Sequence, residues 1–256
     1  MATSHKSLKL QQITVYFTCL LASVLISGIL SAQESEQIHL QDFDGFTNAE
    51  YADYLKNDGW PVEELNTAAD VNYLTDDEKN LILAMNLIRH NPPRYAELYI
   101  YPLIRYFDGT LLRFPGRIPL RTQEGAAAVK ELYNELKKAS PLSVFDPSPG
   151  MSRAASDHAR YMKKRGTASH DGRGDMGSRL SRHGQWHGAI AENLHWGASN
   201  AHDAIISLMV DDGVKNRGHR INMMDPEYRY VGVAIEEHPR FRMSYVIKYA
   251  IGFTDK

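Results

Sequence analysis

The chain has 256 residues, with 29 lysines and arginines against 31 acids and a formal charge of −2. That balance supplies no cationic field for nucleic acid, whose binding depends on neutralising many phosphates together. Hydrophobic residues make up 43% of the chain, which fits one globular domain with an appendage and excludes a collagenous, disordered or multi-span membrane protein. The single cysteine, Cys19, rules out an intramolecular disulfide and any zinc site built on paired thiolates, so a metal here would need histidine and carboxylate ligands.

Residues 1–12 carry Lys6 and Lys9 without an acid, and Ile13 to Leu30 is an uncharged, mostly apolar run ending at Ser31-Ala32 ahead of Gln33-Glu34. This is the layout of a secretory signal peptide (residues 1–32) cut after Ala32. The run is also long enough to act as an uncleaved N-terminal membrane anchor, the alternative reading. Cleavage would remove Lys6, Lys9 and Cys19, leaving 27 basic residues against 31 acids, a formal charge of −4 and no thiol. The expected product is exported to the periplasm, the cell surface or the medium, has no membrane span, and is held together by packing alone. Residues 33–73 follow as an acidic extension with Phe43, Phe46, Tyr51, Tyr54 and Trp60 but no sustained period; so many aromatics suit a segment that wraps the domain better than a disordered linker.

The domain proper is expected over 74–256. It opens with Thr75-Asp76-Asp77-Glu78, where the Thr hydroxyl and the Glu carboxylate can satisfy exposed backbone N–H groups reciprocally. Leu81, Ile82, Met85 and Ile88 follow at helical spacing until Pro92 and Pro93 stop the run, and Arg94 to Tyr106 reads as a second short helical piece. Thr122-Gln123-Glu124 opens a helix to about Lys138, and another covers about Gly150 to Lys164. Beyond Gly166 come a short strand over Glu192 to Trp196, a helix over about Asn200 to Asp211, and two alternating strands, one from Tyr230 and one over Phe241 to Phe253. Helices first and strands last, with a turn near His238-Pro239, favour an α+β fold in which an antiparallel or mixed sheet lies between helices.

Seven of the eleven histidines fall between His158 and His219, a clustering that invites a site. His183 and His187 have i, i+4 spacing but lack the His-Glu-x-x-His pattern, and Gly184 and Gly188 oppose a helix there. His158 reads as a packing residue, His195 as a strand residue and His202 as a residue on a helix surface. Asp171 to Asp175 mixes acids and glycines without the pattern of a calcium loop, so its expected task is to turn the chain after His170. No Gly-x-Ser-x-Gly elbow and no phosphate-cradling loop occurs.

Ser169-His170, Ala191-Glu192-Asn193-Leu194, Arg217-Gly218-His219-Arg220-Ile221-Asn222 and Tyr230-Val231-Gly232-Val233, in that order and spacing, resemble the CAP superfamily: cysteine-rich secretory proteins, antigen 5 and pathogenesis-related proteins, the bearers of the SCP domain. The likeness is greatest to the cysteine-poor bacterial branch. It covers roughly Leu74 to Phe253 and includes Asn86 to Ala96, similar to the family's opening helix. Ala191 stands where the family usually has Gly, and Leu208 where it often has Trp.

The resemblance implies an α-β-α sandwich with a cleft tetrad of two histidines and two acids. Carried over, these are His170, Glu192, Asp211 and His219, with Asp212 as the alternative fourth member. It implies a divalent cation, Zn2+ or another, held by His170 and His219, and a binding or interaction module with a nearby groove for lipid or peptide. The expected partners are a small hydrophobic ligand, a peptide or an extracellular protein. Trp186, Trp196, Tyr228 and Tyr230 are candidates to line that groove, although such aromatics also serve as core. A metal-assisted hydrolase, peptidase or esterase, using the same cleft is the rival reading, with Glu192 as candidate general base. Arg217 and Arg220, flanking His219, are expected on the cleft lip, either offering anion affinity or paired with nearby acids. Mass spectrometry of the exported protein should find Gln33 as its first residue; a chain retaining residues 1–32 would favour the anchor.

Overall fold

A computed structural model describes residues 43–256 of the chain, which form one compact unit; the expected signal peptide and the first part of the extension lie outside the described residues. The described extension is helical. Helix α1 (Asn48–Asn57) starts at a Thr47/Glu50 capping box, and α2 (Val62–Leu65) follows one turn later. Phe43, Tyr51, Leu55, Trp60 and Leu65 are all buried. Those aromatics are therefore part of the domain's own core.

The Thr75/Glu78 capping box forms as expected and starts α3 (Asp76–His90), whose residues from Asn80 to Arg89 are all buried. A helix buried on every side lies between layers rather than on a surface. Asn91 caps α4 (Pro92–Tyr95), where proline at the first turn loses no hydrogen bond. A π-helical turn (Ala96–Ile100) and a 3-10 turn (Tyr101–Tyr106) complete the second helical piece. A small antiparallel sheet follows, β1 (Phe107–Asp108), β2 (Leu111–Leu112) and β3 (Leu120–Arg121). Helix α5 (Ala126–Leu136) starts behind Gly125 rather than at Thr122; the Thr122 hydroxyl accepts the Gly125 N–H at 3.1 Å.

The main sheet has the order β4-β6-β7-β5. β4 (Asp146–Pro147) runs parallel to β6 (Tyr230–His238), and β6 and β5 (Gly184–Trp196) are antiparallel to β7 (Arg242–Asp255). The sheet is thus mixed. Strand β5 starts eight residues earlier than the sequence suggests, because the alternation before Glu192 is masked by a register shift between His187 and Ile190. Strand β5 lies at one edge of the sheet.

Helix α6 (Pro149–Arg165) lies against one face, where Ala155, Ala159 and Met162 meet Leu194, Ala234 and Val246. Short helix α7 (Met176–Ser181) joins it there, with Leu180 against Met151 and Ala250. The opposite face carries α3, α8 (Ala201–Val210) and α9 (Gly218–Met224). Two residues lock that layer. Arg89, fully buried, donates to the carbonyls of Ser143, Met223, Asp225 and Tyr228 and lies 4.0 Å from the Phe145 ring centre. His202 sits among Phe43, Tyr51, Tyr95 and Tyr99 at 1% exposure. This corrects its expected place on a helix surface: the aromatic extension covers it, and Tyr51 Oη meets its Nδ1 at 2.5 Å. Among the described residues no helix is long and apolar enough to cross a membrane.

Helix and sheet approach one another tightly at Gly232. A Cβ there would sit 2.2 Å from the Met151 carbonyl carbon and 2.4 Å from the Ser152 nitrogen, both backbone atoms that cannot yield locally. Gly218 has only ordinary contacts, the nearest at 3.5 Å. Gly232→Ala should therefore cost about 3 kcal/mol in urea unfolding, whereas Gly218→Ala should stay within about 1 kcal/mol of the parent; equal effects would contradict this packing.

Candidate functional site

Two acid–imidazole pairs flank the edge strand β5. On the α6 side, Glu192 points from β5 into a buried pocket of charge. Its Oε1 meets His170 Nδ1 at 3.0 Å, Arg179 Nη2 reaches both of its oxygens at 3.1 Å, and Lys248, its register partner on β7, donates to Oε2. His158 Nε2 lies 3.8 Å from Oε1 and 3.1 Å from the Ser169 carbonyl. The Glu192, Arg179, Lys248 and His158 side chains are nearly or fully buried, whereas the His170 side chain is 59% exposed.

Burial alone would raise the Glu192 pKa. The hydrogen bond from His170 and the charge and hydrogen bond of Lys248 outweigh it and hold the carboxyl down at about 2. An ionised carboxylate only accepts, so His170 Nδ1 is the donor and its lone pair is left on Nε2. Lys248 is pushed down to about 8 by burial, against the pull of Glu192. Burial likewise takes His158 to about 4, with Glu192 opposing and Arg179 and Lys248 assisting; it is a neutral ring at pH 7. His158 Nδ1 and Arg179 Nε have no hydrogen-bond partner among the described residues. The loop after His170 closes over them at Gly172, where a Cβ would come within 2.7 Å of His158 Nδ1. Asp175 ends that loop by capping α7 through Ser178 N at 2.8 Å, which is the chain-turning task expected of it.

On the opposite face the second pair is built at the end of α8. Asp211 stops that helix in the left-handed conformation, φ 55°, a region that Asp tolerates better than most residues. The turn returns the chain so that Asp211 Oδ2 accepts the His219 N–H at 3.0 Å and Oδ1 meets His219 Nδ1 at 2.6 Å. Asp211 is buried and the His219 side chain 25% exposed. Asp212 faces elsewhere, accepting the backbone N–H groups of Gln123 and Glu124 at 2.7 and 2.8 Å. The carboxylate on His219 is therefore that of Asp211.

Successive residues of β5 serve the two faces in turn, as a pleated strand requires. Leu194 shares the α6 side with Glu192, while Asn193, fully buried, donates to the His219 carbonyl at 2.9 Å and to Tyr249 Oη at 3.1 Å and accepts from Asn222 at 2.8 Å. His195, on the His219 side, is lowered to about 4 by burial and then by the charge of His219. No hydrogen bond or ion pair joins the two pairs among the described residues, and no group of three or more His, Cys, Asp or Glu side chains gathers there as a metal-ligand set. The tetrad is thus two pairs, one on each side of an edge strand.

Several expectations need correction. Arg217 does not offer its guanidinium to the cleft lip: it grips Glu124 at 2.6 and 2.7 Å and Glu131 at 2.8 and 3.0 Å, bonds that raise its pKa. Arg220 is buried, donating to Glu131, Glu135 and the Met209 and Val210 carbonyls. Both fasten α9 to α5. Both Glu192 oxygens are engaged, by Arg179, Lys248 and His170, which lowers the proton affinity a general base needs. The four candidate groove aromatics do not share a surface: Trp196 packs with Ala155 and Leu194, Tyr230 with Met151 and Ala250, and Tyr228 is buried 5.8 Å from the Tyr249 ring, leaving Trp186 37% exposed. Sequence reasoning misses Arg179 and Lys248. The readable sign is Lys248 itself, one lysine within the apolar strand Val246-Ile247-Lys248-Tyr249-Ala250, since a buried lysine requires a partner.

Residues 130–249 match the family described as the cysteine-rich secretory protein family, CAP. Among solved structures, an extracellular protein containing a SCP domain from Bacillus anthracis is 19% identical with a TM-score of 0.35, over 49% of this chain and 37% of that one. An outer surface protein from Borrelia burgdorferi is 16% identical with a TM-score of 0.38, over 50% of this chain and 93% of that one. The chain thus spans just over a third of the Bacillus protein's length. No curated protein matches.

The charge balance at Glu192 is testable. Its folded pKa near 2 lies below the unfolded value of 4.5, so its stabilisation is present above pH 4.5 and is lost as pH falls toward 2. Glu192→Gln should destabilise by about 3–5 kcal/mol at pH 7, because two buried cations lose their carboxylate, and the difference from the parent should shrink through that acid window. Adding Lys248→Met should restore much of the loss in a double-mutant cycle; a strictly additive second loss would refute the pairing.

Proposed function

We propose that this protein is an exported CAP-domain binding module whose imidazoles, His170 and His219, each offer an Nε2 atom to a divalent cation. The observation that carries the reading is that each ring has its Nδ1 against a buried carboxylate, Glu192 or Asp211. That arrangement turns Nε2 outward as the lone-pair atom and fixes the ring's orientation, as carboxylate partners do for metal-binding histidines. The donor set suits Zn2+ or a similar ion, which accepts imidazole nitrogen readily and leaves coordination positions open for a ligand. When bound, the ion would supply a positive centre able to hold an anionic or carbonyl group. The protein's part is to hold the two rings: Asn193 fixes α9 against β5, and Arg179 and Lys248 keep Glu192 ionised.

Export rests on residues 1–32, and the partner class is a small hydrophobic ligand, a peptide or an extracellular protein. The rival reading, a metal-assisted hydrolase with Glu192 as base, has less support, because Arg179, Lys248 and His170 already occupy both oxygens of that carboxylate.

Isothermal titration of the full chain with ZnCl2 near neutral pH tests the reading. Zn2+ should bind, and His170→Ala and His219→Ala should each weaken the binding at its own ring by more than about tenfold. Binding unchanged in either variant, or none in the parent, would overturn it. Asp212→Asn should leave the affinity unchanged.

A further inference from the structure

Helix α6 has two unlike sides. Met151, Ala155, Ala159 and Met162 meet the sheet and are fully buried. At about 100° per residue, Arg160 and Lys164 return to within about 20° of the direction of Arg153, on the side away from the sheet; all three are exposed. They form a row about 17 Å long at about 1.5 Å per residue. The cationic surface continues past the helix end, where Arg165 and, on the β6-β7 hairpin tip, Arg240 and Arg242 are exposed. Helix end and hairpin are in contact: His238 Nε2 lies 3.0 Å from the Thr167 carbonyl, and Lys163 donates to Glu236 at 2.8 Å and Glu237 at 3.2 Å. Lys163, Glu237, His238, Pro239, Arg242 and Met243 line an open cavity of about 650 Å3 there.

The charges of this surface are unmatched. Helix α6 carries five basic residues against one acid, Asp157, on a chain whose formal charge is −2. The acids nearby are already taken, Asp157 by His183 Nε2 at 2.8 Å and Glu236 and Glu237 by Lys163. Arg153, Arg160, Lys164, Arg165, Arg240 and Arg242 have no ion pair among the described residues. Cations in the last turn also suit the negative end of a helix, but Arg153 and Arg160 lie before that turn and the hairpin arginines lie outside the helix. A row of unmatched cations on an acidic protein attracts a polyanion. No large hydrophobic is exposed on α6 to anchor it in a bilayer, and the row carries no aromatic on which bases could stack. We infer that the outward side of α6, with the hairpin tip beyond it, binds a linear anionic polysaccharide whose sulfate or carboxylate groups meet Arg153, Arg160, Lys164, Arg240 and Arg242. That the polymer is a glycan rests on the export proposed above; the cation at His170 and His219 plays no part in it.

Heparin, titrated into the full chain at about 0.15 M salt, is the probe. The parent should bind, and Arg153→Gln with Arg160→Gln and Lys164→Gln should weaken binding by more than about tenfold and flatten its dependence on salt. The same change of charge made elsewhere, Arg121→Gln with Lys130→Gln and Lys138→Gln, all exposed, should leave binding as in the parent. His170→Ala and added EDTA should also leave it unchanged. A chain that binds heparin but not Zn2+ would therefore overturn the cation reading alone, and one that binds Zn2+ but not heparin would overturn this inference alone. Equal losses in the two triple variants would overturn it, since net charge would then explain the binding. Tighter binding to duplex DNA or to phosphatidylserine vesicles at the same salt would assign the surface to another class of partner and overturn it as well.

Discussion

Glu192 is one buried carboxylate set against two buried cations. Arg179 and Lys248 come from α7 and β7, yet both end on it, so the helix after the His170 loop, the edge strand and the central strand meet through one ionised side chain. Taking such groups out of water costs several kcal/mol per ion unless they compensate one another. The arrangement therefore makes sense only while the carboxylate stays charged, and the same charge turns the His170 ring so that Nδ1 donates. Exposed His170 is positioned by a group that solvent hardly reaches. Neutral His158 beneath adds no third positive charge.

The second pair is set by backbone geometry rather than by charge balance. Asp211 takes a left-handed conformation at the end of α8, and the turn that follows aims both the N–H and the ring of His219 at it. Arg217 and Arg220 spend their hydrogen bonds on α5 and on helix-end carbonyls, which fixes α9 and with it the His219 backbone. Asn193 carries the connection to β5. One strand thus serves both imidazoles, Glu192 on one face and Asn193 on the next, and any shift of its register would exchange the two faces.

Much of this was legible in the sequence where local rules decide. The Thr75/Glu78 box, Pro92 at a helix start and the alternation from Tyr230 each gave an element close to its observed bounds, because capping, proline and strand periodicity act within a few residues. The order of elements gave the mixed α+β class, and the resemblance gave the match to the CAP family and the four residues His170, Glu192, Asp211 and His219, with Asp212 as the alternative to Asp211. What stayed hidden depends on contacts distant in sequence. Helix α1 shows no strong period because its aromatics close over His202 from a different layer. That Arg217 and Arg220 pair with acids was one of the two readings open, but not which acids, because Glu124, Glu131 and Glu135 lie about ninety residues earlier. The pairing of four residues into two sets on opposite faces of β5 follows from strand parity, and the expectation of a single cluster overlooked it.

The functional account depends on the state of two rings, each with its proton on Nδ1 and its lone pair on Nε2. Long-range 1H–15N NMR correlations of the histidine side chains, assigned with His170→Ala and His219→Ala, read that state directly. The account predicts that neutral His170 and His219 both populate the Nδ1–H tautomer in the parent protein. It also predicts that His170 loses that preference in Glu192→Gln while His219 keeps it. An Nε2–H tautomer at either ring in the parent would contradict the account at its centre.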